Sequence, residues 1–294
     1  KRVILVCHQV IPDMKEIGPH INVDSNSSKA TAINASFSIF YRLLLFGSSK
    51  VIVFESNLKD RLSKYGDKEK IVVIAHGVQS FSKQPNKKFA RKCLSIRQDR
   101  FVILLFGFLG WYKGTDWAID AIKKIKASKR NQDIELIIAG GSNPNLEQKD
   151  HYKRYIQSIK RESEANGIRL TGFVAEKDIP LYYAASDLVV LPYRSFMSAS
   201  GPLSLAFSFK KPFLVSPKLK PIFDTLDMQE KMKQRNIDKS DMHFKDFNGD
   251  FEKKIKRFQR NKRLRLKVGS FVGEIQKARS WEVIGTKYYS EIIN

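Results

Sequence analysis

The sequence predicts an α/β protein whose strands form parallel sheets in two domains. Three observations carry this. Short β-branched runs recur without polar alternation, at Val3–Cys7, Val51–Phe54, Ile71–Ile74, Phe101–Phe106, Ile134–Ala139, Leu188–Leu191 and Pro212–Val215, as in strands covered on both faces. Helical patterns lie between them, which calls for right-handed βαβ units. The chain has 294 residues, and at about 150 residues per domain that length suits two.

The helices follow from spacing. In Thr115–Lys126, Trp117, Ala118, Ala121, Ile122 and Ile125 share one face while Lys123, Lys124 and Lys126 point outward. His151–Asn166 reads as a polar helix ended by Gly167. Pro180–Ala185 is a short helix, and Pro202–Phe209 opens after a glycine. A first domain over 1–80 gives way to a polar connector over 81–97, rich in Lys, Ser and Gln, and the second domain runs over 98–278. Residues 279–294 form a closing amphipathic helix with a Ser-x-Glu start, expected to return to the first domain. Met228–Asp250 is polar and poorly periodic. The chain opens on Lys1 and at once on a strand pattern, which predicts further sequence upstream.

Apolar residues make up 42% and charged residues 28% of the chain, which excludes a disordered or fibrous protein. Two cysteines, Cys7 and Cys93, exclude a disulfide scaffold and a multi-cysteine zinc site, and suit a reducing compartment. No Asp-x-Asp and no His/Asp/Glu cluster has metal-ligand spacing. The longest apolar run, Phe101–Trp111, is too short for a bilayer span, and Arg2–Cys7 is too brief for a signal peptide. The balance of 53 basic against 30 acidic residues gives a net charge of +23, which implies an anionic partner: nucleic acid, an acidic membrane or a phosphate-bearing ligand.

Two segments carry chemistry. Phe106-Gly-Phe-Leu-Gly-Trp-Tyr-Lys-Gly114 follows a strand and opens a helix. Glycines at such a turn let the backbone approach an anion, the helix start offers free N–H groups, and Lys113 adds a point charge. A tight βα turn with a solvated lysine accounts for the same residues. Leu191-Pro-Tyr-Arg-Ser-Phe-Met-Ser-Ala-Ser-Gly-Pro-Leu-Ser-Leu-Ala206 is again a strand, a Gly/Ser loop and a helix start, with Pro202 at its first position. Loops at the carboxyl ends of strands line the ligand crevice of an open α/β sheet, so two such loops suggest a diphosphate held between them. Asp187 reads as a structural cap, Tyr182 and Tyr183 as core and rim, and His20, His151 and His243 as solvated.

With Ile119-Asp-Ala121, Leu136-Ile-Ile-Ala-Gly-Gly141, Leu170-Thr-Gly-Phe-Val-Ala-Glu-Lys-Asp-Ile179, Tyr182-Tyr-Ala-Ala-Ser-Asp-Leu188 and Lys211-Pro212, these segments resemble the C-terminal domain of retaining glycosyltransferases of family 4, the glycosyl transferases group 1. The order and spacing hold from Phe106 to Pro212. Less specifically, Leu5-Val-Cys-His-Gln-Val10, Val51–Ser56, Ile71–Val78 and Ser280-Trp281 resemble parts of the first domain, the run into the linker and the closing helix. The resemblance implies the GT-B fold, two Rossmann-like domains across a cleft. The first domain would be incomplete, its first strand and Gly-rich loop lying before Lys1, and the C-terminus complete.

The resemblance also implies roles. His8 would be the cleft histidine that contacts the transferred sugar, and Lys113 the cation on the leaving diphosphate. Gly107, Phe108, Lys113, Gly114, Val174, Arg194, Ser200, Gly201, Pro202 and Leu203 would hold the donor. His76 would be a hinge residue. The family's two glutamates fall on Met197 and Leu205, and its diphosphate arginine falls on Phe108, with Arg194 a candidate substitute. The implied activity moves a hexose from a UDP-, GDP- or ADP-sugar to a saccharide or lipid-linked acceptor, without metal or further cofactor, in cell-envelope or polysaccharide synthesis. The expected location is cytoplasmic, peripheral on the inner face of the membrane. Lys253–Lys267 has nine basic residues in fifteen and reads either as a solvated helix face or as a basic amphipathic helix for anionic lipid. Ser36–Gly47 is a second membrane candidate, or a buried helix of the first domain. A non-catalytic glycan-binding or partner module is the alternative reading. Nucleic acid ranks last, because no nucleic-acid motif accompanies the charge.

Overall fold

Runs of Val, Ile and Leu form two parallel sheets in a computed structural model that describes residues 2–11, 13–81, 83–127, 133–195 and 199–293. The first sheet holds β1 (Ile4–Val6), β2 (Lys50–Val53) and β3 (Ile71–Val73), in that order. Its helices are α1 (Met14–Ile21), α2 (Ser28–Gly47) and α3 (Ser56–Leu62). Asp13 caps α1 by accepting from the Lys15 N–H, and Ser27 caps α2 by accepting from the Ala30 N–H. The sequence reading of Val3–Cys7 as a buried strand needs correction. Within the described residues β1 pairs only with β2, and Val3 and Val6 stand exposed.

The connector is not featureless. Residues Lys87–Cys93 form α4, whose Arg91 is buried and donates to the Ala185 and Gln98 carbonyls and to the Asp187 carboxylate. Asp187 also accepts from the Val102 N–H, so it serves as a structural anchor.

The second sheet comprises β4 (Phe101–Phe106), β5 (Ile134–Ala139), β6 (Arg169–Leu170), β7 (Leu188–Leu191) and β8 (Phe213–Val215), ordered β6-β5-β4-β7-β8. The chain first winds outward from β4 through β5 to β6, then crosses back to β7 and β8. The order therefore reverses between β4 and β7, and crevices at strand ends open at such a switch point. Helices α5 (Thr115–Lys126), α6 (Asp150–Ala165), α7 (Ile179–Ala185), α8 (Gly201–Ser208), α9 (Leu226–Gln234), α10 (Asp250–Arg260) and α11 (Lys262–Ala278) cover it. The basic stretch Lys253–Lys267 breaks at Asn261 between α10 and α11, and its Ile255, Phe258 and Leu264 are buried in the core. It is thus a pair of packed helices with a solvated basic face.

Two crossings tie the domains. The Val78 N–H donates to the Arg279 carbonyl at 2.7 Å. Gly77 lies flat against Trp281, where an added Cβ would sit 2.5 Å from the indole. Helix α12 (Trp281–Ile293) then packs Ile284 against Ile52 and Ile74, and Glu291 pairs with Lys50 at 2.5 Å. On the other side, α1 packs on the turn Trp111–Lys113 of the second domain.

Candidate donor site at the switch point

The turns after β4 and β7 are locked together. Gly114 has φ +66°, and a Cβ there would lie 2.1 Å from the Pro192 carbonyl oxygen, so only glycine fits this approach. The Arg194 N–H donates to the Tyr112 carbonyl at 2.6 Å. Its guanidinium forks onto the Asp116 carboxylate, donates to the Trp111 carbonyl and stacks 3.8 Å from the Trp117 ring centre. Arg194, expected on the donor, is therefore engaged as a clamp, its charge matched by Asp116.

Lys113 is what the clamp presents. Its side chain is 6% exposed and has no hydrogen-bond or ion-pair partner among the described residues; only the face of Tyr112 lies near, 5.9 Å away. Gly107, at φ +103°, makes room for it, since a Cβ there would come 2.6 Å from Nζ. Burial alone brings the ammonium down to about 8 from its ordinary 10.5. A buried, unpaired cation is costly, and an incoming anion removes the cost.

A cavity of about 460 Å³ opens at this ammonium, lined by Phe106, Gly107, Phe108, Val174, Glu176 and the start of α8. Ser200 caps α8 and accepts from the Leu203 N–H, and Tyr193 bonds the Ser200 hydroxyl. Tyr183 donates to the Pro202 carbonyl at 2.9 Å. Gly201 and Pro202 face the cavity, while Leu203 is buried in the core with its amide already satisfied. Leu205 lines the wall, and Met197 lies outside the described residues.

His8 stands apart from that lining. It is exposed at the end of β1, edge-on to Phe54 with ring centres 4.8 Å apart. Phe54 in turn meets His76, which meets Trp281. His76 is half-buried, bonds the Gly77 carbonyl at 2.7 Å and is held below the ordinary histidine range by desolvation. His243, read as solvated, is buried beside Phe223. The side chain of His20 lies outside the described residues.

Two features escaped the sequence reading. Gly140 and Gly141 shape the cavity: a Cβ on Gly140 would strike the Gly107 carbonyl at 2.0 Å, and one on Gly141 would approach the Phe173 N–H at 2.9 Å. Glu55, just after β2, is buried with Oε2 unpartnered among the described residues, and burial pushes its carboxyl up to about 7 against the opposing charge of Arg279. An acid directly after a β-branched run was the available signal. A larger groove of about 830 Å³ lies between α5 and α10, lined by Lys124, Lys253 and Lys256. It is away from the strand ends and has no buried cation.

A buried cation without a partner among the described residues, at the switch point of a doubly wound sheet, is a candidate site for an anionic ligand. The fold narrows the class to GT-B. Sucrose-phosphate synthase from Thermosynechococcus elongatus superposes with a TM-score of 0.72 at 15% identity, over 99% of this chain and 67% of that one. Anabaena Alr3699/HepE, solved with UDP and glucose, gives 0.71 at 15% identity, over 100% and 72%. WaaG, a glycosyltransferase involved in lipopolysaccharide biosynthesis, gives 0.63 at 14% identity, over 97% and 73%. Residues 100–228 match the family described as glycosyl transferases group 1. The match covers less than half of the chain and lies within its second domain, and the solved structures share its GT-B fold. No curated protein matches the chain at the level of sequence.

Proposed function

We propose that the chain moves a hexose from a nucleoside diphosphate sugar to a saccharide or lipid-linked acceptor, with retention at the anomeric carbon, in cell-envelope or polysaccharide synthesis. The buried, unpaired ammonium of Lys113 in the switch-point cavity carries this reading. HepE's complexes with UDP and UDP-glucose support a donor of this class.

In the reaction the acceptor oxygen bonds to the anomeric carbon on the face that the diphosphate leaves. The bond from that carbon to the diphosphate oxygen breaks, and the acceptor's hydroxyl proton passes to the leaving phosphate. Negative charge grows on the diphosphate. Lys113 and the Gly201 N–H at the start of α8 stabilise it from fixed positions. His8, on the first domain, faces the acceptor side in this reading. In this proposal the cationic groups, not a metal, carry the growing charge.

The site works at the cytoplasmic surface of the membrane in this proposal. Helix α2 is long and apolar enough to cross a bilayer by length and composition. It buries Tyr41 and Leu45 in the first domain and exposes Ile39, Phe40, Leu43 and Phe46, and the net charge of +23 favours an anionic surface.

The test is a panel of UDP-, GDP- and ADP-hexoses with excess chelator, followed by assay of released nucleoside diphosphate and NMR of the anomeric configuration. Release from one donor, retained configuration and loss of turnover in Lys113→Ala are expected. Binding without cleavage, across acceptors, would leave a nucleotide-sugar-binding module. Turnover abolished by chelator and restored by Mg²⁺ would contradict the cationic mechanism.

A further inference from the structure

The groove of about 830 Å³ between α5 and α10 has a charge pattern that the donor reading does not use. Five basic residues and one acid, Glu252, line it among the described residues. Four of the five bases lie on α10: Lys253, Lys256, Arg257 and Arg260. Their offsets of three, four and seven residues set them in one stripe about 10 Å long. Phe251, Ile255 and Phe258 are buried on the other side of the helix, so packing fixes which way the basic stripe faces. Lys124 stands opposite, in the last turn of α5. It is roughly 14 Å along that helix from Thr115, where the Lys113 turn ends.

Acids answer only part of this charge. Arg257 pairs with Asp241 at 2.7 Å, and Lys124 pairs with Glu252 at 3.4 Å. Lys253 and Lys256 have no ion-pair partner among the described residues. Like charges three and four positions apart oppose the helix that carries them, and an anion lying along the stripe removes that cost. Glu252 is buried, and its Oε2 lacks a hydrogen-bond partner among the described residues. The groove therefore calls for a ligand that brings both negative charge and hydrogen-bond donors.

The remaining lining narrows the class. Asn248 offers an amide at one end, and Gly249 leaves bare backbone beside it, with open space where a Cβ would stand. No aromatic or aliphatic side chain lines the groove among the described residues. A nucleobase has nothing to stack on, and an acyl chain has nothing apolar to enter. We propose that this groove is a second ligand site, separate from the donor cavity, and that it holds an acidic saccharide. Carboxylate or phosphate groups lie along the α10 stripe, and hydroxyl groups face Asn248, Gly249 and Glu252. The choice of a saccharide rests on the sugar-transfer reading above, whereas the charge and the lining stand without it.

The experiment is calorimetric titration at pH 7 and low salt with four probes of about ten residues each: oligogalacturonate, phosphomannan oligosaccharide, neutral dextran and oligothymidylate. The first two separate carboxylate from phosphate as the source of charge. At least one of them should bind, more weakly as salt rises, and dextran should not. Lys253→Glu with Lys256→Glu should weaken that binding by about tenfold or more. The same variant should keep the parent melting temperature and its affinity for UDP, GDP or ADP. Lys64→Glu with Lys68→Glu, exposed on the first domain, changes the net charge equally and should weaken saccharide binding by less than about threefold. Equal losses in the two double variants would place the effect in the charge of the whole chain and overturn the inference. Oligothymidylate bound about tenfold or more tighter than either acidic saccharide would also overturn it, in favour of nucleic acid. A protein that binds a nucleoside diphosphate but neither acidic saccharide would sink this inference and spare the donor reading. Saccharide binding at the groove without binding of any nucleotide would do the reverse.

Discussion

Replacing Lys113 with methionine should make the protein more stable and worse at binding its nucleotide. The native ammonium is buried without a partner among the described residues, and burial takes it from 10.5 to about 8. That difference corresponds to roughly 3 kcal/mol of penalty on the charged form. The folded value lies below the unfolded one, so the unfolded chain holds the extra proton between about 8 and 10.5. Stability should therefore rise with pH across that window, and the penalty is fully present below about 8. Lys113→Met keeps the length and removes the charge. It should add about 1–3 kcal/mol at pH 7 and raise the melting temperature by several degrees. Binding should move the other way, falling by about ten- to a hundredfold with the loss of a charge-assisted contact. In the parent protein only about a tenth of the free ammonium remains at pH 9, so affinity there should be about tenfold weaker than at pH 7. The nucleotide's own phosphates are already ionised over that range, and the methionine variant should show no such fall. Calorimetry at pH 7 and pH 9 with thermal denaturation provides the assay. Unchanged affinity with an unchanged pH profile would refute the placement of the anion at this residue.

Gly114→Ala should cost about 2 kcal/mol or more in chemical denaturation and disrupt nucleotide binding, because the new Cβ meets the Pro192 carbonyl oxygen at 2.1 Å with φ at +66°. Asp116→Ala should strand the nearly buried Arg194 guanidinium; with Asp116 partly exposed, the expected loss is about 1–3 kcal/mol, and an unchanged denaturation midpoint would argue against the clamp. Flotation should show binding to anionic vesicles that weakens at high salt, and Leu43→Ser with Phe46→Ser should reduce it; equal binding of parent and double variant would remove α2 from the membrane face.

What the sequence made legible were elements whose cause is local. Phe101–Phe106, Ile134–Ala139 and Thr115–Lys126 form over the residues their patterns predict, because β-branched runs and a 3.6-residue stripe are properties of adjacent positions. The two glycine-containing turns after β4 and β7 were visible for the same reason. Pairings across long stretches of chain were not. Arg194 sits on a cavity-side loop, yet its partner Asp116 is 78 positions away. That ion pair turns a candidate phosphate ligand into a clamp. The connector reads as polar because Arg91 is charged, and its burial is made possible by Asp187, 96 positions on. His243 reads as solvated from its polar neighbours, but the fold places it against Phe223. Glu55 follows a β-branched run, which is a local sign of a strand end, but the approach of Arg279 to it is a long-range pairing that adjacent positions do not encode.

The central claim is that the anion belongs at Lys113. A crystal structure with the bound nucleoside diphosphate tests it most directly. The account predicts a phosphate oxygen within about 4 Å of Lys113 Nζ, beside Gly107 and the first turn of α8. A diphosphate seated instead in the basic groove of Lys124, Lys253 and Lys256, with the switch-point cavity empty, would contradict it.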